Sequence, residues 1–257
     1  MPPYRIGLKL WSINTDYYFE EARRLYSEGV YDYIELYVVP GSLSSLPQWG
    51  SLDIPYIIHH PHFAHGFNLA KAEKEKTNRE IYGEVKQFAD ALRAPHIIFH
   101  GGIDGCVEET ARQLAALEEP RALIENKPFV ALPNRMGGEF CRGATPEELQ
   151  YIISTAKCGF CFDVGHAVCA ANSLLREPYA YLQELNALRP QMYHLSDVAD
   201  MSSPYDAHPH LGTGELDIAR LKKELIFPGA TISVETNKNS KTDLNDFKED
   251  CLWLRHC

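Results

Sequence analysis

The chain has no apolar run of 18 residues or more, so no membrane-spanning helix is expected. Its opening, MPPYRIGLKLWS, lacks a basic stretch followed by a long apolar one. No secretory signal is therefore expected, and the reading places the protein in the cytoplasm. Positive charge is scarce: 25 Lys and Arg stand against 35 Asp and Glu, a formal net charge of −10. That balance argues against a broadly basic nucleic-acid-binding surface. It says nothing against a local site, because acidic and histidine side chains that hold cations are neutralised where they stand. Cysteines at metal-site spacing are nearly absent. Of seven cysteines, only Cys158 and Cys161 stand three apart, and inside a strand-like run their side chains point to opposite faces. An odd count with no secretion signal predicts free thiols. No interdomain linker interrupts the chain and no repeat exceeds a strand–helix unit, so one domain over 1–257 is expected.

What the sequence does contain is an alternation. Strand-like runs fall at 5–11, 33–39, 55–60, 96–100, 121–126, 159–163, 191–195 and 231–236. Helix-like segments fall at 16–29, 72–93, 106–118, 145–156, 177–188, 215–225 and 243–255. The Gly/Ser/Pro-rich link 40–54 has room for a short helix or none. Eight strands with interleaved helices over about 250 residues predict an α/β fold, a single (β/α)8 TIM barrel. The strands are near-continuous apolar runs, as a sheet covered on both faces requires. Thr145-Pro146-Glu147-Glu148 reads as an N-cap, a proline at the first helical position, and acids at the positive helix end. Two long segments, 126–144 with Arg135 and Arg142 on either side of Gly137-Gly138, and 197–214, are candidates for functional loops.

The chemistry sits at the ends of the strands. YIIHH, HIIFH, RALIE, GFCFDVGH, QMYHL and TISVE each carry His, Asp or Glu at or beside their end. In a (β/α)8 barrel these ends converge on one mouth. His60, His100, Glu125, Asp163, His194 and Glu235 fall there, His166 lies three residues past Asp163, and Asp206 and His208 lie in the loop after the seventh strand. This mixed nitrogen and oxygen set suits zinc, manganese or iron rather than calcium. Nine ligands exceed the needs of one ion, so two or three ions are expected, an arrangement suited to phosphoryl displacement. Only one of the adjacent His59 and His60 can point inward; His60 is the expected ligand and His59 the structural residue. His62 and His65 read equally as substrate-facing groups or as loop residues.

These motifs resemble the endonuclease IV branch (apurinic/apyrimidinic endonuclease family 2) of the xylose isomerase-like barrels. The resemblance rests on FDVGH at 162–166, YHLSD at 193–197 and DAHPHLGTGELD at 206–217. IENKP at 124–128, SVET at 233–236, HPHF at 60–63 and FHGG at 99–102 add to it. It implies a zinc centre of up to three ions. Glu125 bridges two of them, and His60 and His100 complete the first. Asp163, His194 and Glu235 hold the second, and His166, Asp206 and His208 the third. The implied reaction is hydrolysis of a phosphodiester beside an abasic deoxyribose by a metal-activated hydroxide, with no covalent intermediate. Two departures concern the DNA. Ala207 stands where that pattern has an arginine, and Phe63 where it has a tyrosine.

Sugar isomerases and epimerases of the same superfamily are the rival reading. They use only Glu125, Asp163, His194 and Glu235, around one ion such as manganese, and YIELY at 33–37 resembles their second strand, with Glu35. There Glu125 and Glu235 would exchange protons with a ketose and His166 would contact it. A metal-binding protein without activity is the third reading. Across the two enzymatic readings, Glu125, Glu235 and His166 are the expected catalytic residues, and His62, Phe63, Glu35 and Lys238 the expected substrate contacts. The expected substrate is a small sugar phosphate or an abasic nucleic acid, with no membrane and no obligate protein partner.

Overall fold

Short runs of branched and aromatic residues, apolar on both faces, demand a sheet that is covered on both sides. The computed structural model, which describes residues 4–132 and 137–256, meets that demand with a closed barrel. Its strands run in chain order: β1 (Arg5–Trp11), β2 (Tyr33–Tyr37), β3 (Tyr56–His59), β4 (Ile97–His100), β5 (Ala122–Glu125), β6 (Gly159–Asp163), β7 (Met192–Leu195) and β8 (Thr231–Val234). Every pairing is parallel, and β8 returns to β1 through Arg5 opposite Thr231. Arg135 lies outside the described residues.

Helices cover the outside: α1 (Phe19–Ser27), α2 (Leu46–Gly50), α3 (Glu75–Ala91), α4 (Val107–Ala115), α5 (Pro146–Ala156), α6 (Val164–Ser173), α7 (Pro178–Asn186), α8 (Ile218–Glu224) and α9 (Asn245–His256). Helix α3 shows why they dock. Tyr82, Val85, Phe88 and Ala89 recur on one face and are its buried stripe. The expected start of α5 forms as read: Thr145 Oγ1 accepts from the Glu148 N–H at 3.2 Å and Pro146 opens the helix.

Helix α6 is an addition to the sequence expectation, which placed nothing helical between 163 and 177. Its residues Val164 to Ala171 are all buried, so it has no polar face and no amphipathic period to betray it. Asp163 starts it, accepting the His166 N–H at 2.8 Å. The link 40–54 does hold one short helix, α2.

The barrel interior is separate from the core beneath the helices. Tyr33, Ile57, Ile98, Leu123, Cys161 and Met192 form an apolar floor of their own. Two residues further along each of those strands stand Glu35, His59, His100, Glu125, Asp163 and His194. Strand side chains alternate faces, so the floor residues set which side chains face the mouth. Gly7 leaves room for Tyr33 on the floor: a Cβ at Gly7 would lie 2.3 Å from the Tyr33 ring. The Tyr33 hydroxyl bonds Ser233 Oγ at 2.9 Å across the barrel.

Gly7→Ala is expected to destabilise the fold by about 1–3 kcal/mol through overpacking against Tyr33. Urea denaturation of the two proteins checks this. An unchanged midpoint would show that the floor has slack.

Candidate metal centre

Above the floor, five carboxylates and five imidazoles meet. Glu125, at the end of β5, is central. Its Oε2 lies 3.0 Å from His100 Nε2, 3.5 Å from His59 Nε2 and 3.7 Å from His194 Nδ1. Its Oε1 lies 3.0 Å from His166 Nδ1 and 3.3 Å from Lys127 Nζ. One carboxylate thus faces two clusters of nitrogen. On one side, His59 Nε2 and His100 Nε2 approach to 2.6 Å. On the other, His166 Nε2 and His208 Nε2 lie 3.3 Å and 2.8 Å from Asp206 Oδ2. Between them, His194 Nδ1 lies 2.8 Å from Glu235 Oε1 and 3.8 Å from Asp163 Oδ2.

These arrangements suit cations. Glu125 Oε2, His194 Nδ1 and Asp206 Oδ2 are buried and closely approached, yet none is in hydrogen-bonding geometry. His194 Nε2 sits 2.9 Å from Glu35 Oε2 while Nδ1 faces three carboxylates; a cation in place of the Nδ1 proton would find that nitrogen as a ligand. His59 Nδ1 lies 2.8 Å from both Glu35 Oε1 and the Lys9 ammonium, which together hold the ring from behind, with Nε2 on the far side. A carboxylate behind an imidazole whose far nitrogen is bare is the usual support for a metal ligand. Charge gives the same answer. Glu35, Glu125, Asp163, Asp206 and Glu235 are buried or nearly so, against two ammonium groups, Lys9 and Lys127. Uncompensated charge at such depth is costly. The strain shows at His166, which is pushed up to about 10: burial opposes the shift and the Asp163 carboxylate drives it. The residue groups Glu35/His59/His194/Glu235, His59/His100/Glu125, Glu125/Asp163/His166 and His166/Asp206/His208 each bring ligand atoms within 4.8 Å of one another.

Eight of the nine expected ligands meet here; His60 does not. Its ring lies outside the barrel wall, with centroids 3.8 Å from Phe67 and 4.8 Å from Phe99. Burial among those rings pushes it down to about 3. His59 takes the inward place. The two-residue step from Ile57 decides this, but YIIHH is apolar at both Ile57 and Ile58, so the sequence hides the phase. Glu35 also differs from expectation. It does not line the cleft; His59, His194, Ser233 and Lys9 surround its two oxygens. Burial would raise it, but His194 and Lys9 hold it well below the carboxylate range. Lys9, which the sequence reading missed, has its Nζ 3.0 Å from Glu35 Oε1, against Glu235 Oε1, and 2.8 Å from His59 Nδ1. A lysine two residues after Gly7 in the apolar RIGLKLW was the available signal. Lys127, also missed, shares the face of Glu125 by the same step.

The loop carrying Asp206 and His208 is fastened from beneath. Asp197 accepts the backbone N–H groups of Val198, Gly212, Gly214 and Leu216 at 2.8–3.1 Å. That explains the glycines of HLGTGEL: a Cβ on Gly214 would strike Val198 O at 2.3 Å. His210 Nδ1, 2.9 Å from Asp250, ties the loop to α9. His208 itself is held at a left-handed φ of +50°, a strained state that its surroundings must impose.

The centre opens into a cleft of about 490 Å³. His62, Phe63 and Lys238, three of the four residues read as substrate contacts, line it. His62 lies alongside His100, ring centroids 5.6 Å apart. Lys238 is held by a bond from its Nζ to Thr236 O at 3.2 Å.

A family model described as xylose isomerase-like TIM barrel matches residues 50–257. Over 214 residues the chain is 26% identical to "Probable endonuclease 4" of Mycobacterium leprae (strain Br4923), covering 79% of this chain and 78% of that protein. Endonuclease IV from Thermus thermophilus superposes with a TM-score of 0.68 at 20% identity, covering 98% of this chain and 100% of that one. A D-tagatose 3-epimerase-like protein superposes with a TM-score of 0.70 at 18% identity, covering 98% of this chain and 96% of that one. At these identities the two structures establish likeness of fold alone.

Glu35 touches no cleft, so its effect must pass through His59 and His194. Glu35→Gln is expected to weaken zinc binding about 10–100-fold, the usual loss when the group behind a ligand is altered. Competition with a chromophoric chelator measures it. Unaltered affinity would deny Glu35 that role.

Proposed function

Because the chain belongs to the xylose isomerase-like TIM barrel family, we propose that it is a zinc-dependent phosphoester hydrolase with a polynuclear centre. The observation that carries this is the position of Glu125, whose two oxygens face separate sets of imidazole nitrogens 3.0–3.7 Å away. A bridging carboxylate serves adjacent ions, and a one-ion site has no use for it.

In this reading His59, His100 and Glu125 hold one ion. Glu125, Asp163, His194 and Glu235 hold a second, and His166, Asp206 and His208 a third. When bound, such ions polarise phosphoryl oxygens and supply an activated water near neutral pH. The chain does the rest. Glu35 and Lys9 fix the facing nitrogens and Glu235 before substrate arrives. Lys127 lies between Glu125 Oε1 and His166 Nε2, at 3.3 Å and 3.2 Å, and lines the cleft. It offers a phosphoryl oxygen a fixed positive charge. Lys238 lines the β8 side of the same cleft.

A second reading has one observation in its favour: the cleft has the size of a site for a single small molecule, a sugar included. As a sugar isomerase or epimerase, the chain would hold one manganese or zinc ion on Glu125, Asp163, His194 and Glu235. Glu125 and Glu235 would then shuttle a proton beside the ketose carbonyl. The names of the relatives divide in the same way.

Metal content separates the two. Protein purified without added metal or chelator is expected to carry about three zinc ions per chain by elemental analysis, one for each ligand set of this reading. His208→Ala is expected to lose one ion and most of the phosphodiesterase activity, and Glu125→Gln to fall to background. One ion per chain, with exchange of a ketose α-proton into solvent and no phosphoester cleavage, would falsify the hydrolase reading.

A further inference from the structure

One wall of the cleft carries none of the ligands of the centre, though Tyr37 in it packs on the His59 ring, centroids 5.3 Å apart. Trp11, the last residue of β1, lines the cleft and is 43% exposed. Its indole lies on the ring of Tyr37, the last residue of β2, with centroids 5.2 Å apart and planes 29° from parallel. Tyr37 is buried. Its hydroxyl is 2.7 Å from His65 Nδ1 and accepts the His62 N–H at 3.1 Å. His65 meets Trp11 edge-on at 6.1 Å, and the Trp11 backbone N–H donates to Asn14 Oδ1 at 2.7 Å. The indole is therefore set in place before any ligand arrives, backed by Tyr37 and open to the cleft.

The rest of the cleft is charged: Lys127 just past β5, across the closed barrel from β1, Lys238 just past β8, and the groups around Glu125. Both parts belong to one cleft of about 490 Å³, the size of a site for a single small molecule. The space asks for a ligand with a flat ring at one end and an anion at the other. A duplex, by contrast, calls for a broad basic surface, and the chain's net charge is −10.

We propose that Trp11 and Tyr37 form a stacking subsite for the ring of a small phosphoester, so that the substrate is a ring-bearing phosphate rather than duplex nucleic acid. The ring is either a nucleobase or the C–H face of a sugar; both stack on indole. This inference rests on the phosphoester reading for its anionic end, while the ring end stands on the aromatic wall alone.

The test uses zinc-loaded full-length protein and three probes: adenosine monophosphate, glucose 6-phosphate and the ring-free glycerol phosphate. Calorimetric titration is expected to show one or both ring-bearing probes binding about tenfold tighter than glycerol phosphate, the size of a base–aromatic stack. Trp11→Ala should bring them down to the glycerol phosphate value, and Trp11→Phe should restore part of the gain. Which ring gains more identifies its chemistry. Equal binding of all three probes, or a Trp11→Ala loss shared equally by all three, overturns the subsite. If no phosphate binds, the phosphoester reading falls, and adenosine or methyl glucoside then decides the subsite by itself. Ring-dependent quenching of fluorescence that disappears in Trp11→Phe upholds it; no quenching by either compound overturns it.

Discussion

Everything in this protein depends on the two-residue step of a strand inside a closed barrel. Once Tyr33, Ile57, Ile98, Leu123, Cys161 and Met192 pack together as the floor, the next inward side chain on each strand has no choice of direction. That step delivers Glu35, His59, His100, Glu125, Asp163 and His194 to one mouth from six strands far apart in sequence. It also sends His60 outward among Phe67 and Phe99. The apolar floor and the polar centre are two rows of the same weave, and neither can shift by one residue without inverting the other.

The weave concentrates like charge, and the structure answers that with order. Each carboxylate meets a particular nitrogen, and Glu35 stands behind two imidazoles at once. Lys9 answers Glu35 and Glu235 from β1. What the protein's own cations leave unanswered is gathered around Glu125 and Asp206, where bare nitrogen and oxygen atoms face one another. The aromatic wall beyond, with Trp11 on Tyr37, adds the contrast that a charged centre by itself lacks.

Most of this architecture is legible in the sequence, and the illegible parts share a cause. Eight strands and the strand-end acids and histidines stand out because apolar runs that stop at a titratable residue are conspicuous. The phase of a strand is not, when both of its faces are buried. HIIFH places its single terminal histidine without ambiguity, whereas YIIHH offers two and no alternation to choose between them. Helix α6 hid for the same reason, being apolar all round. Lys9 and Lys127 were overlooked because a lysine ordinarily marks solvent; here Lys9 lies at the inward phase of β1 and Lys127 two residues past the end of β5. The segment 206–217 stands out by its resemblance to the endonuclease IV branch, but its glycines make physical sense only once Asp197 is seen beneath them.

Asp163 joins two parts of the molecule that seem unrelated. One of its oxygens holds the first turn of α6 by accepting the His166 N–H. The other faces His166 Nδ1 at 3.3 Å and His194 Nδ1 at 3.8 Å. The hinge of that helix and the chemical centre therefore share a single carboxylate. Whatever the second oxygen holds pulls on the first, so an occupied centre also acts as a rivet, clamping the start of α6 to the rim of the barrel.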